Sequence, residues 1–335
     1  MPPVTYRDVA LRAGVGTATV ERVLNGRRGV SPATVERVLA AARALGHPRR
    51  LPEVHRGITR IEVILVRPDS TFLGRLSRAF ERIAATLDPT ISVHRTFLPE
   101  PDPAAIAARI ATPASRRAGL ILAVPDHPLI REALARSQAA GLRVVQVVTR
   151  AGGLEADYVG IDNASAGRMA GLLISRMQHR GGTLAAICHG GSYQVHRDRI
   201  RGLGDYLARH PRDDLRFAGV LFGQDDRQRS ADLLALALRT WPDLVALYNA
   251  GGVNSALTAV LRRHAKGRDV FFVGHELTEA SSAALREGVM SVVLDQVPEA
   301  QARRAVDLML ARLGLGAEEV PNPPIRFVTV TAENL

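Results

Sequence analysis

Residues Val4 to Asn25, VTYRDVALRAGVGTATVERVLN, decide how this chain is read. They divide into two short helices joined by a tight turn. Thr5 can cap the first, because its hydroxyl accepts from a free N–H of the first turn. Val9, Ala10 and Ala13 then share one face at helical spacing. Gly14 breaks that helix, and Val15 can plug the corner. The second helix is predicted from about Thr17 to Leu24, with Val20, Val23 and Leu24 turned inward and Gly26 ending it. Thr17, Ala18, Thr19, Glu21 and Arg22 remain on its outer or leading face. A short helix led by small residues and carrying a projecting arginine has the shape that enters a DNA major groove. A plain helical hairpin inside a larger domain would show the same pattern, so the surroundings have to decide.

Those surroundings favour DNA. A third helix follows over Ser31 to Leu45, with Ser31 as cap and Pro32 at its first position. Residues 1–60 hold 11 arginines against 4 acids, a net +7 of the chain's +11. Concentrated basicity of this kind is the electrostatic footprint of a nucleic-acid binder.

The run VTYRDVALRAGVGTATVERVLNGRRGVSPATVERVLAAARALGH closely resembles the headpiece of the LacI/GalR family of bacterial transcription regulators. The resemblance implies that Thr5, Arg7, Thr17, Ala18, Thr19, Arg22, Asn25, Arg27 and Arg28 face DNA. Thr17 and Ala18 would lead the reading helix, and Arg7, Arg22, Arg27 and Arg28 would touch phosphates. Gly16 and Glu21 stand where the family pattern has serines. Both are expected near the DNA backbone, where a carboxylate at Glu21 is unfavourable unless Arg22 or Arg28 screens it.

The bulk composition sets outer limits. A chain of 335 residues is two or three domains' worth. No apolar run approaches ~18 residues, which argues against a membrane span. The N-terminus does not read as a secretion signal. The single cysteine, Cys188, cannot form an internal disulfide. A reducing cytoplasm is the simplest expectation. Lys266 is the only lysine among 44 basic residues.

Gly46, His47 and Pro48 stop the third helix, which sets residues 1–48 apart as the headpiece. Residues 49–60, RRLPEVHRGITR, form a basic linker. In the resembled family a hinge helix here wedges a leucine into the minor groove. Its Ala-Arg motif is missing, Pro52 interrupts the segment, and only Leu51 could act as the wedge. A flexible basic tether is the other reading.

From Ile61 short apolar strands alternate with amphipathic helices. The strands expected are Ile61–Val66, Ile91–Thr96, Gly119–Val124, Arg143–Val148, Tyr158–Ile161, Thr183–Cys188, Phe217–Leu221, Leu244–Tyr248, Val270–Val273 and Val292–Leu294. Helices such as Leu73–Leu87, Leu129–Ala140, Ala164–Gln178, Arg199–Ala208 and Val297–Leu313 lie between them. Such alternation builds open parallel sheets covered on both faces. About ten strands exceed one sheet, so the α/β part is read as two similar lobes, 61–161 with 297–320 and 162–296 with 321–335. GIDNASAGRMAGLLISR, HGGSYQVHRDRIRGL, YNAGGVNSAL and FVGHELTEASSAALREGVMSVVLDQVPEAQARRAV follow, in order, the pattern of the same family's effector domain. That domain is similar to periplasmic sugar-binding proteins, which close two lobes over a ligand. The C-terminus shows no heptad tail, so a homodimer is expected without a tetramerisation helix.

In open α/β sheets ligands sit beyond the carboxyl ends of the strands. Asp69 and Phe72 follow the first strand, Phe72 as a cover for a sugar ring or as a core aromatic. Asp126 follows the third strand, as a ligand contact or as a helix cap. The resemblance adds Arg199, placed where the family grips its effector, and Asn249, Glu276 and Gln296. Ala250 replaces a usual acid, and Glu276 stands where Asp is usual. His127, His189, His196 and His275 crowd the same strand ends. They lack paired metal-ligand spacing, so no metal is expected. With arginine they point toward an anionic or heavily hydroxylated effector.

The expectation is therefore a DNA-binding regulator, a repressor by family norm, with a sugar, polyol or sugar acid as effector and operator DNA as partner. No cofactor and no catalytic residue is expected. An enzyme on the same scaffold is opposed by the missing G-x-G-x-x-G, P-loop and Ser-His-Asp patterns. A transport or chemosensory binding protein is opposed by the basic headpiece.

Overall fold

The structure, a computed structural model, describes residues 4–25, 29–47 and 58–335. Two compact units meet in sequence between Ile58 and Thr59.

In the first unit α1 (Tyr6–Ala13), α2 (Thr17–Leu24) and α3 (Pro32–Ala44) pack pairwise around Val9, Val20, Val23, Leu24, Val38 and Leu39. A reciprocal cap fixes the start of α1. The Asp8 carboxylate accepts from the Thr5 backbone N–H at 2.8 Å and from its hydroxyl at 2.6 Å. Thr5 Oγ1 accepts in turn from the Asp8 N–H at 3.4 Å. Gly14 ends α1 in the left-handed conformation, with φ of +63°, and the chain turns so that Val15 packs against the core. Without that turn the apolar faces of two eight-residue helices could not meet. Neither helix is long enough to be stable alone.

The second unit alternates strand and helix. Its first lobe holds β1 (Thr59–Val66), α4 (Thr71–Ala84), β2 (Ile91–Leu98), α5 (Pro103–Ala111), β3 (Gly119–Ala123), α6 (Pro128–Ala139), β4 (Arg143–Val147) and β5 (Asp157–Val159). The next segment adds α7 (Asn163–Met177), β6 (Gly182–Cys188), α8 (Gln194–Arg209), β7 (Leu215–Phe222), α9 (Arg227–Thr240), β8 (Leu244–Asn249), α10 (Asn254–Arg263), β9 (Phe271–His275), α11 (Glu279–Arg286) and β10 (Val292–Asp295). The chain closes with α12 (Pro298–Arg312) and β11 (Val328–Val330).

The first sheet runs β2-β1-β3-β4-β5 and is parallel throughout. The second runs β7-β6-β8-β9-β10-β11, parallel except for β11, which pairs antiparallel with β10. Leaving β11 aside, the two sheets have one topology, with the strand order reversing between β1 and β3 and between β6 and β8. Burial on both faces explains the near-continuous apolar strands. In β8 every residue is buried.

Three crossovers join the lobes: residues 160–162, residues 296–297 and the segment after α12. The last crossover sends α12 back to the first lobe, where Ala302, Ala305, Val306 and Met309 share a core with β1 and β3. Ile161 forms a parallel β-bridge with Ile325, tying two crossovers together.

The ten expected strands are all present, with ends shifted by a few residues. Helices α5 and α11 and strand β11 lie outside the segments named from sequence. Helix α5 is short and follows two closely spaced prolines, which read as loop. Strand β11 is three residues long and exists through its pairing with β10.

Candidate functional site

The two lobes bring the carboxyl ends of their strands face to face. Seven non-glycine residues at or beyond those ends adopt positive φ among the described residues, including Arg67 (55°), Val148 (70°), Asp225 (49°) and Glu276 (72°). For Val148, Val253 and Val297 this conformation is strained by the branched side chain. Strain of this kind persists only where surrounding contacts enforce it, and it gathers at ligand clamps.

The residues around one cavity of about 80 Å³ explain the enforcement. Arg199 is 2 % exposed. Its Nε donates to Asn163 Oδ1 at 3.0 Å and its Nη1 to the Ala250 carbonyl at 2.8 Å. Nη2 has no protein partner. Gln296 donates its amide to Glu276 Oε1, while Gln296 Oε1 and Glu276 Oε2 are left unpartnered. Thr149 Oγ1 and His196 Nδ1 are buried and unpartnered as well, and both residues line the same cavity. Buried polar atoms are nearly always hydrogen-bonded. Six that are not, the Tyr193 hydroxyl among them, belong to residues that line one hollow.

Electrostatics differ from what the sequence suggested. Burial pushes the Glu276 carboxyl up to about 8, against the pull of Arg199. Burial lowers His196 to about 3 and His275 well below its ordinary value. The two histidines are thus neutral rather than cationic, and they give no preference for an anion. His189 lies 3.0 Å from Glu100, and His127 caps α6. Among the described residues no group of three or more His, Cys, Asp or Glu side chains could hold a metal ion.

The expected effector residues separate into three groups. Phe72, Arg199, Glu276 and Gln296 line the cavity together. Asn249 and Asp126 are engaged by the protein itself. Asn249 donates to the Gly252 carbonyl at 2.6 Å and to Asn254 at 2.7 Å, and accepts from the Gly251 N–H at 3.1 Å. It organises the turn after β8 and does not line the cavity. Asp126 accepts from Arg131 at 2.6 Å, from the Gly152 N–H at 3.1 Å and from Arg197 of the other lobe at 3.2 Å. Asp69 is exposed on the turn after β1 and lies outside the cavity wall. Its neighbour Arg67 takes the wall position.

Arg67, Thr149, Tyr193 and Asp225 line the cavity without having been singled out as ligand contacts, and of the four strand-end histidines His196 lines it too. The signal for Arg67 was available, because it directly follows the first strand. Asp225 had none, since its place depends on where the chain after β7 turns.

In the headpiece Thr5, Arg7, Thr17, Ala18, Arg22 and Asn25 are exposed, and Thr19 is half-buried. Gly16 gives α2 no side-chain cap. The N–H groups of Thr17 and Ala18 are therefore left without a side-chain cap. Arg27, Arg28 and Leu51 lie outside the described residues, as does most of the 49–60 linker. No described helix is long and apolar enough to cross a membrane.

Comparison with known proteins agrees with this geometry. The bacterial regulatory proteins of the lacI family match residues 5–49, and the periplasmic binding protein domain matches residues 61–318. No curated protein matches the chain. Among solved structures, an ABC transporter solute-binding protein from Burkholderia graminis C4D1M, in complex with D-arabinose, is similar with a TM-score of 0.74. It is 17% identical, over 84% of this chain and 98% of its own. One from Actinobacillus succinogenes 130z with bound D-allose has a TM-score of 0.72 at 16% identity, over 82% of this chain and 98% of its own. GanP, a glucose-galactose binding protein from Geobacillus stearothermophilus, has a TM-score of 0.72 at 17% identity, over 82% and 99%. At such identities the likeness carries the fold alone. With both family matches in order along its length, the chain belongs to the lacI family of bacterial regulatory proteins, a helix-turn-helix headpiece ahead of a periplasmic-binding-protein domain.

Proposed function

We propose that this chain is a cytoplasmic, homodimeric transcription repressor whose operator affinity is set by a small sugar-like effector between its lobes. The observation that carries the effector half is the set of six unpartnered polar atoms on residues around one cavity at the strand ends of both lobes. Arg199 and Gln296 supply a fork and a planar amide for vicinal hydroxyls. Phe72 supplies an apolar face. Glu276, neutral near pH 7, can donate or accept. These groups bind and orient, and none forms a nucleophile–base pair, so the reading is binding and not catalysis.

The headpiece half rests on the exposed Thr17, Ala18 and Arg22 of α2. The effector acts by binding one lobe arrangement better than the other, typically with ~1–3 kcal/mol of coupling. The solved relatives carrying D-arabinose and D-allose support pentoses and hexoses as first candidates.

The test is fluorescence anisotropy of the purified full chain on its own promoter fragment, with a panel of neutral and acidic sugars added. Specific binding that one sugar changes at least fivefold supports the reading. Absence of specific binding in dilute buffer, or binding that no sugar alters while the same sugars also fail to shift thermal stability, overturns it.

A further inference from the structure

Beside two of the crossovers between the lobes lies a second hollow, of about 320 Å³. Thr149 and Arg150 of the first lobe, Asp162 and Asn322 of two crossovers, and Gln194 and Asp198 of α8 all border it. A molecule held there touches both lobes and two of the three segments that join them.

The acids bordering it are already engaged. Asp162 accepts from the Ser165 N–H at 2.9 Å and faces Arg168 at 3.7 Å. Asp198 accepts from Gln194 at 2.8 Å and from Arg201 at 2.9 Å. Arg150 is different. Among the described residues it has no carboxylate partner, and its guanidinium lies 4.3 Å from the centre of the Tyr158 ring.

The same wall contains the start of α8, a helix of 16 residues whose N-cap, Tyr193, makes no side-chain cap. The N–H groups of Gln194 and Val195 are among the unpaired donors of that first turn, and both residues border the hollow. A helix start carries roughly half a positive charge. Independently of the helix, Thr149 is 4 % exposed. Its hydroxyl has no protein partner, and the residue borders the hollow.

We propose that this hollow is a second small-molecule site, for a hydroxylated anion such as a phosphate ester or a hydroxy acid. Arg150, the α8 N–H groups and the Thr149 hydroxyl take the anionic group. Asn322 and the outer lone pairs of Asp198 take hydroxyls. Thr149 and Val195 border both hollows, so the anion is either a separate molecule or a charged arm of the effector. As a separate molecule it contacts both lobes, and its affinity and that of the cleft ligand must change each other by one factor.

The test is calorimetric titration of the full chain with inorganic phosphate, D-ribose and D-ribose 5-phosphate. Phosphate binding is expected to weaken at least tenfold in Arg150→Ala and in Thr149→Val. It is expected to be unchanged in Arg239→Ala, an exposed arginine elsewhere that controls for general attraction to a basic protein. No phosphate binding, equal binding by the wild type and Arg150→Ala, or an equal loss in Arg239→Ala overturns the proposal. If ribose 5-phosphate displaces phosphate and also needs Arg199, the anion is an arm of the effector. If phosphate and ribose bind together, it is a separate ligand. Arg150-dependent binding that persists in Arg199→Ala, with no sugar binding at all, leaves this site standing while the effector cleft falls.

Discussion

Arg67 and Asp225, 158 residues apart, meet at 2.6 Å across the cleft. Arg67 belongs to the turn after β1 and Asp225 to the turn after β7, and both hold positive φ. Burial alone would raise the Asp225 carboxyl; its interactions with His196, with Arg67 and with the Gly252 N–H outweigh it and hold the carboxyl below its ordinary value. Arg67 also faces Glu100 at 3.4 Å, and Glu100 faces His189 of the second lobe at 3.0 Å. With Arg197 and Asp126 at 3.2 Å, these pairs form a charged latch along the line where the lobes touch.

Asp225→Asn keeps the shape and removes the charge that holds Arg67. Breaking a largely buried pair from one side costs several kcal/mol. Glu100 remains to Arg67, so about 1–3 kcal/mol of stability should be lost. The lobes should also spend more time apart, read as a larger radius of gyration by small-angle scattering. An unchanged radius and melting temperature would remove the latch from the account.

Stability against pH should peak near 6.5. His196 and His275 are held neutral by burial, with His196 at about 3. Below 6.5 the unfolded chain therefore binds more protons at these positions, and stability rises with pH. Glu276 has the opposite sign. Its folded value is about 8 against an ordinary 4.5, so the folded state holds the extra proton and stability falls as pH rises toward 8. Between 6.5 and 8 this second effect outweighs the remaining protonation of the two histidines in the unfolded chain. A loss of roughly 1–2 kcal/mol is expected there, at up to ~1.4 kcal/mol per pH unit for one proton. Urea midpoints should show it, and Glu276→Gln should flatten the fall. A wild-type profile already flat over that window contradicts a buried neutral acid.

On the headpiece, Arg22→Ala should weaken operator binding about tenfold near 0.1 M salt and reduce the salt slope by about 1. Glu21→Gln should do the reverse, tightening binding several-fold, because an exposed carboxylate near phosphate is repelled. Anisotropy over a salt series measures both. Equal affinities for Arg22→Ala and wild type would count strongly against docking through α2.

Helices α7 and α8 approach so closely that two glycines are required. A Cβ on Gly202 would lie 2.1 Å from the Ala164 carbonyl oxygen, and one on Gly167 would lie 2.0 Å from the Arg199 carbonyl oxygen. Gly202→Ala should therefore cost about 1–3 kcal/mol and shift Arg199 in the cleft. A thermal melt alongside sugar titration would detect both, and a variant with wild-type melting and binding would refute the close approach.

The headpiece was legible because it is local. Thr5, Gly14 and the Val20–Leu24 spacing determine two helices and a corner within 20 residues or so. The strands were legible because parallel sheets buried on both faces leave continuous apolar runs. The cleft was legible only in part. Strand-end position pointed to Phe72, and resemblance to Arg199, Glu276 and Gln296. Position alone could not separate Asp69, which faces solvent, from Arg67 two residues earlier.

By itself, then, the sequence determined the element order, the doubly wound lobes and the basic reading head, since periodicity, capping and charge act over a few residues. Tertiary structure alone decided that Asn249 and Asp126 spend their hydrogen bonds on the protein, that His196 and His275 are neutral, and that Asp225 closes on Arg67. The reason is physical. Burial depends on how whole elements pack, and for Asp126 and Asp225 partner choice also depends on arginines brought in from the opposite lobe, so the local chain does not encode either.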